Sequence, residues 1–93
     1  MSKQRLFEAT ESALYSLSPF KTDIDLQSNQ INAVFRIPVF GFKDDVNIIA
    51  ESTGPDESIL HIKSASRVGE SDLGVNRRRI KRIIATVNQK LDQ

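Results

Sequence analysis

Ser64-Ala-Ser-Arg-Val-Gly-Glu-Ser-Asp-Leu-Gly-Val-Asn-Arg-Arg-Arg-Ile-Lys-Arg82 is where strand-like sequence gives way to helical sequence. Just before it, residues 58–64 alternate, with Leu60 and Ile62 on one side and Ile59, His61 and Lys63 on the other, the period of a half-buried strand. Beyond its start, Ile80, Ile83, Ile84, Val87 and Leu91 recur at three-and-four spacing, the apolar stripe of an amphipathic helix. Asp72 and Asn76 can each cap the first free amides, so this helix is predicted to begin between them. Gly69 and Gly74 give the connecting turn its backbone freedom, and Leu73 and Val75 read as the plug that seats it on the core.

Working upstream, residues 45–51 read as another strand with Val46, Ile48 and Ala50 inward, and residues 52–57 form a turn cluster by composition. Ile31, Ala33, Phe35, Ile37 and Val39 line one face of an earlier strand. Pro38 costs that strand a ladder hydrogen bond, which places its end at an edge or bulge, and Gly41 permits a bend. Residues 20–27 alternate with Phe20, Thr22, Ile24 and Leu26 predicted inward, and a turn at residues 28–30 follows. Ahead of the strands, Ser2 is a good helix N-cap and Leu6, Thr10, Ala13, Leu14 and Leu17 make a helical stripe, so residues 3–17 are predicted helical. Ser18-Pro19 ends that helix, because proline cannot donate to the preceding turn and restrains the residue before it. The expected fold is an α+β two-layer sandwich of order α-β-β-β-β-α, a four-stranded antiparallel sheet with the N-terminal and C-terminal helices on one face.

The 93 residues fit one domain, 1–93, able to bury about 65% of the surface of its unfolded chain. With no cysteine there is no disulfide framework, thiolate metal site or cysteine nucleophile. No run reaches the ~18 to 20 apolar residues of a membrane span, and the first residues lack the apolar core of a signal peptide, so the cytoplasm is the expected compartment. The net charge of +1 conceals an asymmetry. Residues 67–82 hold Arg67, Arg77, Arg78, Arg79, Lys81 and Arg82 against Glu70 and Asp72, a surplus of +4 able to orient an anionic partner.

Arg77, Arg78 and Arg79 fall in the first turns of a helix, where the macrodipole disfavours cations by a few tenths of a kcal/mol each, that is ~0.3 or more. Something has to offset this. Asp44, Asp45, Glu70 and Asp72 are available as partners, and a bound anion is the alternative, since guanidinium groups and helix-start amides together suit phosphate or carboxylate. Consecutive strand residues face opposite ways, so Asp44 and Asp45 cannot share a proton as a catalytic dyad. One of them should face the helices and reach an arginine such as Arg67 or Arg78. The polar set Asp44, Asp45, Arg67, Ser71, Asp72, Asn76, Arg77, Arg78 and Arg79 is therefore either an ion-pair network that holds the helix down or a site for an outside ligand.

Other chemistries find little support. The glycines do not form a phosphate-cradling Gly-x-Gly-x-x-Gly motif, and no metal ligand set or cofactor fingerprint is present. His61, the one histidine, is expected exposed and uninvolved, and Tyr15 is expected at the rim of the core.

Phe42-Lys-Asp-Asp-Val46 and Ser66-Arg-Val-Gly-Glu-Ser-Asp-Leu-Gly-Val-Asn-Arg-Arg-Arg-Ile80 resemble the pattern of domain-of-unknown-function family 1499. The resemblance spans about the C-terminal two thirds directly and the first helix by position. It implies a shared fold and a shared motif at Asp44, Asp45, Arg67, Gly69, Ser71, Asp72, Gly74, Asn76, Arg77 and Arg79, with no enzyme class attached. Many such proteins look envelope-associated, with a leader and a cysteine-containing segment before the domain. This sequence shows neither, so the resemblance does not carry that placement over.

Three functions are compatible with this sequence. The leading one is a non-catalytic binding or adaptor domain whose basic surface around Arg67 to Arg82 takes an anionic small molecule or the acidic patch of a protein. Nucleic-acid binding through residues 77–82 ranks second, since only one face of the helix is free and no aromatics interleave for stacking. An enzyme using Asp44, Asp45 or Asp72 ranks third, with no nucleophile and base at interpretable spacing. The helix-free face carries Asp23, Asp25, Asn32, Arg36, Asn47 and Lys63 around a small patch of Val34, Ile49 and Ile59. That patch and the open sheet edges are the basis for a possible homodimer.

Overall fold

The computed structural model describes residues 1–36, 42–67 and 73–92. Helix α1 (Lys3–Ser16) is followed by strands β1 (Lys21–Asp25), β2 (Gln30–Arg36), β3 (Lys43–Gly54) and β4 (Glu57–Ser66), and helix α2 (Leu73–Leu91) closes the chain. The sheet is an antiparallel meander in the order β1-β2-β3-β4, the α+β arrangement expected.

Local chemistry sets the ends of α1. The Ser2 hydroxyl accepts from the Arg5 amide at 3.2 Å, which satisfies one free helix-start donor. At the other end the Leu17 and Ser18 amides donate to the carbonyls of Leu14 and Tyr15, and Ser18 turns the chain at φ 55° ahead of Pro19. Between the caps the helix buries Leu6, Phe7, Thr10, Ala13 and Leu14. Thr10 can be buried because its hydroxyl donates to the Leu6 carbonyl at 2.7 Å. Phe7 joins the core although the expected stripe passed it over.

Pairing in the sheet runs from Lys21 opposite Val34 through Ala33 opposite Val46 to Ile48 opposite Ile62. This register stacks Ile31, Ala33, Val46, Ile48 and Ala50 on the face beneath the helices, where all five are buried. Ile83 and Val87 of α2 complete the core, with Leu6, Phe7, Ala13 and Leu14 of α1. α1 packs on β3, β4 and α2, and α2 packs on β4.

Four expectations need correction. Strand β3 begins at Lys43 and runs on to Gly54, so the turn is shorter than residues 52–57, and a register shift falls between Ser52 and Gly54. Phe20 is 52% exposed and Leu26 72%, because both lie outside the β1 ladder that would fix their side. Phe20 has turned instead to lie under two cations, Arg36 at 5.1 Å and Lys43 at 4.6 Å from its ring centre. Ile84 is 45% exposed, since α2 sets the line of Ile83 and Val87 on the core and leaves Ile84 on the flank beside the edge strand β4. Asn76 does not cap α2; it lies three residues inside the helix and is buried. The readings placed on Ile37, Pro38, Val39, Gly41, Gly69, Glu70, Ser71 and Asp72, and on the Leu73 side chain, fall outside the described residues.

Candidate functional site

The pleat of β3 separates the two aspartates. Asp44 shares the inward face with Val46, Ile48 and Ala50 and has no exposed surface, while Asp45 points out of the other face. A charge buried this completely needs a partner. It has one: Arg79 Nη1 donates to Asp44 Oδ2 at 2.5 Å, from a side chain only 17% exposed. The same guanidinium lies 5.0 Å from the centre of the Phe35 ring, whose residue stands directly across the ladder from Asp44. Asp44 Oδ1 is buried and, among the described residues, has no hydrogen-bond partner. The expectation that one aspartate faces the helices and reaches an arginine such as Arg67 or Arg78 is met by Arg79, because the position of α2 over the sheet brings position 79 above Asp44.

On the opposite face Arg67 grips Asp45 with two hydrogen bonds, Nε to Oδ2 and Nη2 to Oδ1, both 2.8 Å. The fork holds the Asp45 carboxyl below the usual aspartate range and raises the Arg67 guanidinium, chiefly through the side-chain hydrogen bonds. Both side chains are about half exposed. The motif therefore splits across the sheet into one buried pair and one solvated pair.

Asn76 lies one turn before Arg79 and reads the sheet through two serines. Ser64 Oγ donates to Asn76 Oδ1 at 2.6 Å, and Asn76 Nδ2 donates to Ser66 Oγ at 3.2 Å. Ser64 and Ser66 continue the inward row of Leu60 and Ile62, and Ser66 is opposite Asp44 in the β3–β4 ladder. The inward side of α2 is thus polar at Asn76 and Arg79 and apolar at Ile83 and Val87, and the sheet beneath changes character at the same level. Reading Asn76 as a cap missed this contact; small hydroxyls at consecutive inward positions of β4 were the signal.

Beside the buried pair lies an open groove of about 400 Å³ lined by Leu17, Phe35, Val75, Arg78, Arg79 and Arg82. None of these described lining residues is acidic. Arg78 and Arg82 are exposed and, among the described residues, no carboxylate lies within ion-pair distance of either. No acidic residue stands in the first turn of α2. Arg77 is exposed but does not line the groove. Leu17, Phe35 and Val75 were not singled out as site residues from the sequence, since only the meeting of α1, β2 and α2 makes them neighbours; Arg82 belongs to the basic surface expected around Arg67 to Arg82. Ser71 and Asp72 fall outside the described residues.

A second shallow site of about 360 Å³ on the helix-free face mixes signs, with Lys21, Lys63 and Arg67 against Asp23 and Asp45. His61 is exposed on that face as expected but is not uninvolved: its Nε2 lies 2.5 Å from Glu51 Oε2. Among the described residues no group of three His, Cys, Asp or Glu side chains could hold a metal. Among the same residues no helix is long and apolar enough to cross a membrane.

The model of the family described as "Protein of unknown function (DUF1499)" matches residues 1–87. No curated protein and no solved structure matches the chain.

Proposed function

The chain belongs to DUF1499, a family of proteins of unknown function, and from that premise and the geometry above we propose that it is a non-catalytic binding domain taking a phosphate or carboxylate group in the arginine-lined groove. One observation carries the reading. Three guanidinium groups converge on a single groove, and among the described residues only Arg79 of these has a carboxylate partner. Arg78 and Arg82 stand in the second and third turns of α2, and among the described residues neither has an anion within ion-pair distance. An outside anion held in a bidentate manner would supply it.

Thermal unfolding with inorganic phosphate and sulfate, at matched ionic strength, tests this. A ligand that binds only the folded chain raises its stability in step with concentration over the dissociation constant. Such salts also stabilise proteins by exclusion from their surfaces, so the comparison between variants decides the matter. Stabilisation beyond this general salt effect is expected in the unaltered protein and in Arg77→Ala, and that excess should vanish in Arg78→Ala/Arg82→Ala. An equal rise in all three would end the proposal.

A second reading, nucleic-acid binding, is supported by the exposure of Arg77, Arg78, Lys81 and Arg82 on adjoining turns of α2. Four phosphate contacts would lower the logarithm of the affinity for a duplex by about 3.6 per decade of salt. Oligonucleotide binding that ignores salt would exclude it.

A further inference from the structure

Resting on the anion-site reading, we infer that the ligand is a single-chain amphiphile whose phosphate or carboxylate head meets Arg78 and Arg82 while its hydrocarbon lies on Leu17, Phe35 and Val75. The floor of the groove is the argument. Along β2 the inward row runs Ile31, Ala33, Phe35; the first two are sealed in the core, and the third is only partly covered. Leu17, where α1 ends, and Val75, in the first turn of α2, are also partly covered and line the same groove. The core thus opens to solvent here, beneath a rim of guanidinium groups.

An inorganic anion would satisfy the rim and leave this floor wet. A hydrocarbon chain covers it, and guanidinium, weakly hydrated and able to lie on apolar and aromatic surface, is suited to the boundary between the two. Arg79 already adopts that posture, bonded to Asp44 while it lies over Phe35. Asp44 acts here as a positioning residue that keeps one guanidinium folded against the wall. The volume of about 400 Å³ falls in the range of sites for small molecules, roughly 300–1,000 Å³, and suits one chain.

Calorimetric titration of the full chain with alkyl phosphates from ethyl to decyl, each below its micelle concentration, tests the inference beside inorganic phosphate and phosphatidylglycerol vesicles. Affinity should rise about two- to fourfold for each added methylene until the chain outgrows the groove. Val75→Thr, close in shape but polar, should flatten that rise and leave inorganic phosphate binding unchanged. Leu17→Gln provides a second variant, with circular dichroism to check that each is folded. If octyl phosphate binds no tighter than inorganic phosphate, and Arg78→Ala/Arg82→Ala weakens both, the amphiphile is refuted and the anion site survives. Absence of binding by every phosphate refutes both. Binding to vesicles without binding to octyl phosphate overturns the single-chain ligand in favour of a bilayer surface.

Discussion

Asp44 and Phe35 stand opposite one another in the β2–β3 ladder, and the Arg79 guanidinium engages both, by a hydrogen bond to the carboxylate and by its place over the ring, 5.0 Å from the ring centre. One helix residue thus senses two adjacent strands. A shift of α2 by a turn would carry Arg79 off both partners and leave a fully buried carboxylate without a counter-charge. The pair consequently selects one position of the helix over the sheet, whatever its net contribution to stability.

The cost of breaking this pair should depend on how it is broken. Asp44→Ala or Arg79→Ala is expected to cost about 3–5 kcal/mol, since each leaves a charge in a poorly solvated place. Small domains have about 5–15 kcal/mol in total, so either variant approaches the limit of folding. Replacing both with apolar groups, as in Asp44→Leu/Arg79→Met, should recover much of the loss. Urea denaturation of the unaltered protein, Asp44→Ala, Arg79→Ala and Asp44→Ala/Arg79→Ala measures the coupling directly, and additive losses would show that the two residues do not interact.

Asn76 makes a separate prediction. Its amide satisfies Ser64 and Ser66 at once, so Asn76→Ala should leave two hydroxyls poorly paired and cost about 1–3 kcal/mol. Adding Ser64→Ala and Ser66→Ala to that variant should restore part of the loss, because the two serine hydroxyls are then no longer left poorly paired. Thermal unfolding of the single and triple variants separates this role from that of a helix cap, where serine removal would have no restoring effect.

How far these contacts could be read from the chain depends on their range. That Asp44 and Asp45 face opposite ways follows from the two-residue pleat, and the Ser2 cap and the Ile83, Val87 stripe are equally local. That Asp44 meets Arg79 is not local; it requires knowing where α2 sits along the sheet, which Asn76, Ser64 and Ser66 help to set. Phe20 and Leu26 fit the alternation of their neighbours, yet alternation binds only residues held in a ladder, and both lie beyond it. His61 reaches Glu51 as a diagonal neighbour, since Ile49 is opposite His61 and Glu51 opposite Ile59. That contact is fixed by the β3–β4 register, which the composition of the turn does not specify. The groove is the least legible feature, being formed by residues from α1, β2 and α2.

Ile83 and Ile84 offer a test of how α2 is rotated. Ile83 is fully buried and Ile84 is nearly half exposed at the β4 edge. Ile83→Ala should cost about 2–5 kcal/mol through lost burial and the cavity left behind. Ile84→Ala should cost less than half as much as Ile83→Ala. Equal losses in guanidinium unfolding would mean that both sit in the core and that the helix is turned from the position described.

Acid should separate the two aspartates' surroundings through Asp45. Its carboxyl is held below the ordinary range by the hydrogen bonds of Arg67, so its folded value lies beneath the value near 3.9 of an unfolded aspartate. A carboxyl lowered on folding stabilises the fold at pH values above the unfolded one. That contribution is lost as pH falls through the folded value, because the unfolded chain then takes up the proton first. The Asp45–Arg67 pair is half exposed and screened by solvent, so Asp45→Asn should change stability little in high salt. Its signature is instead a shallower fall in the urea midpoint between about pH 4 and the folded value. Asp25 is lowered as well, first through its hydrogen bond with the Ser28 side chain, so it contributes in the same window and Asp45→Asn removes only part of the slope. A midpoint that falls as steeply below pH ~4 in Asp45→Asn as in the unaltered protein would mean that the Arg67 fork does not form in solution.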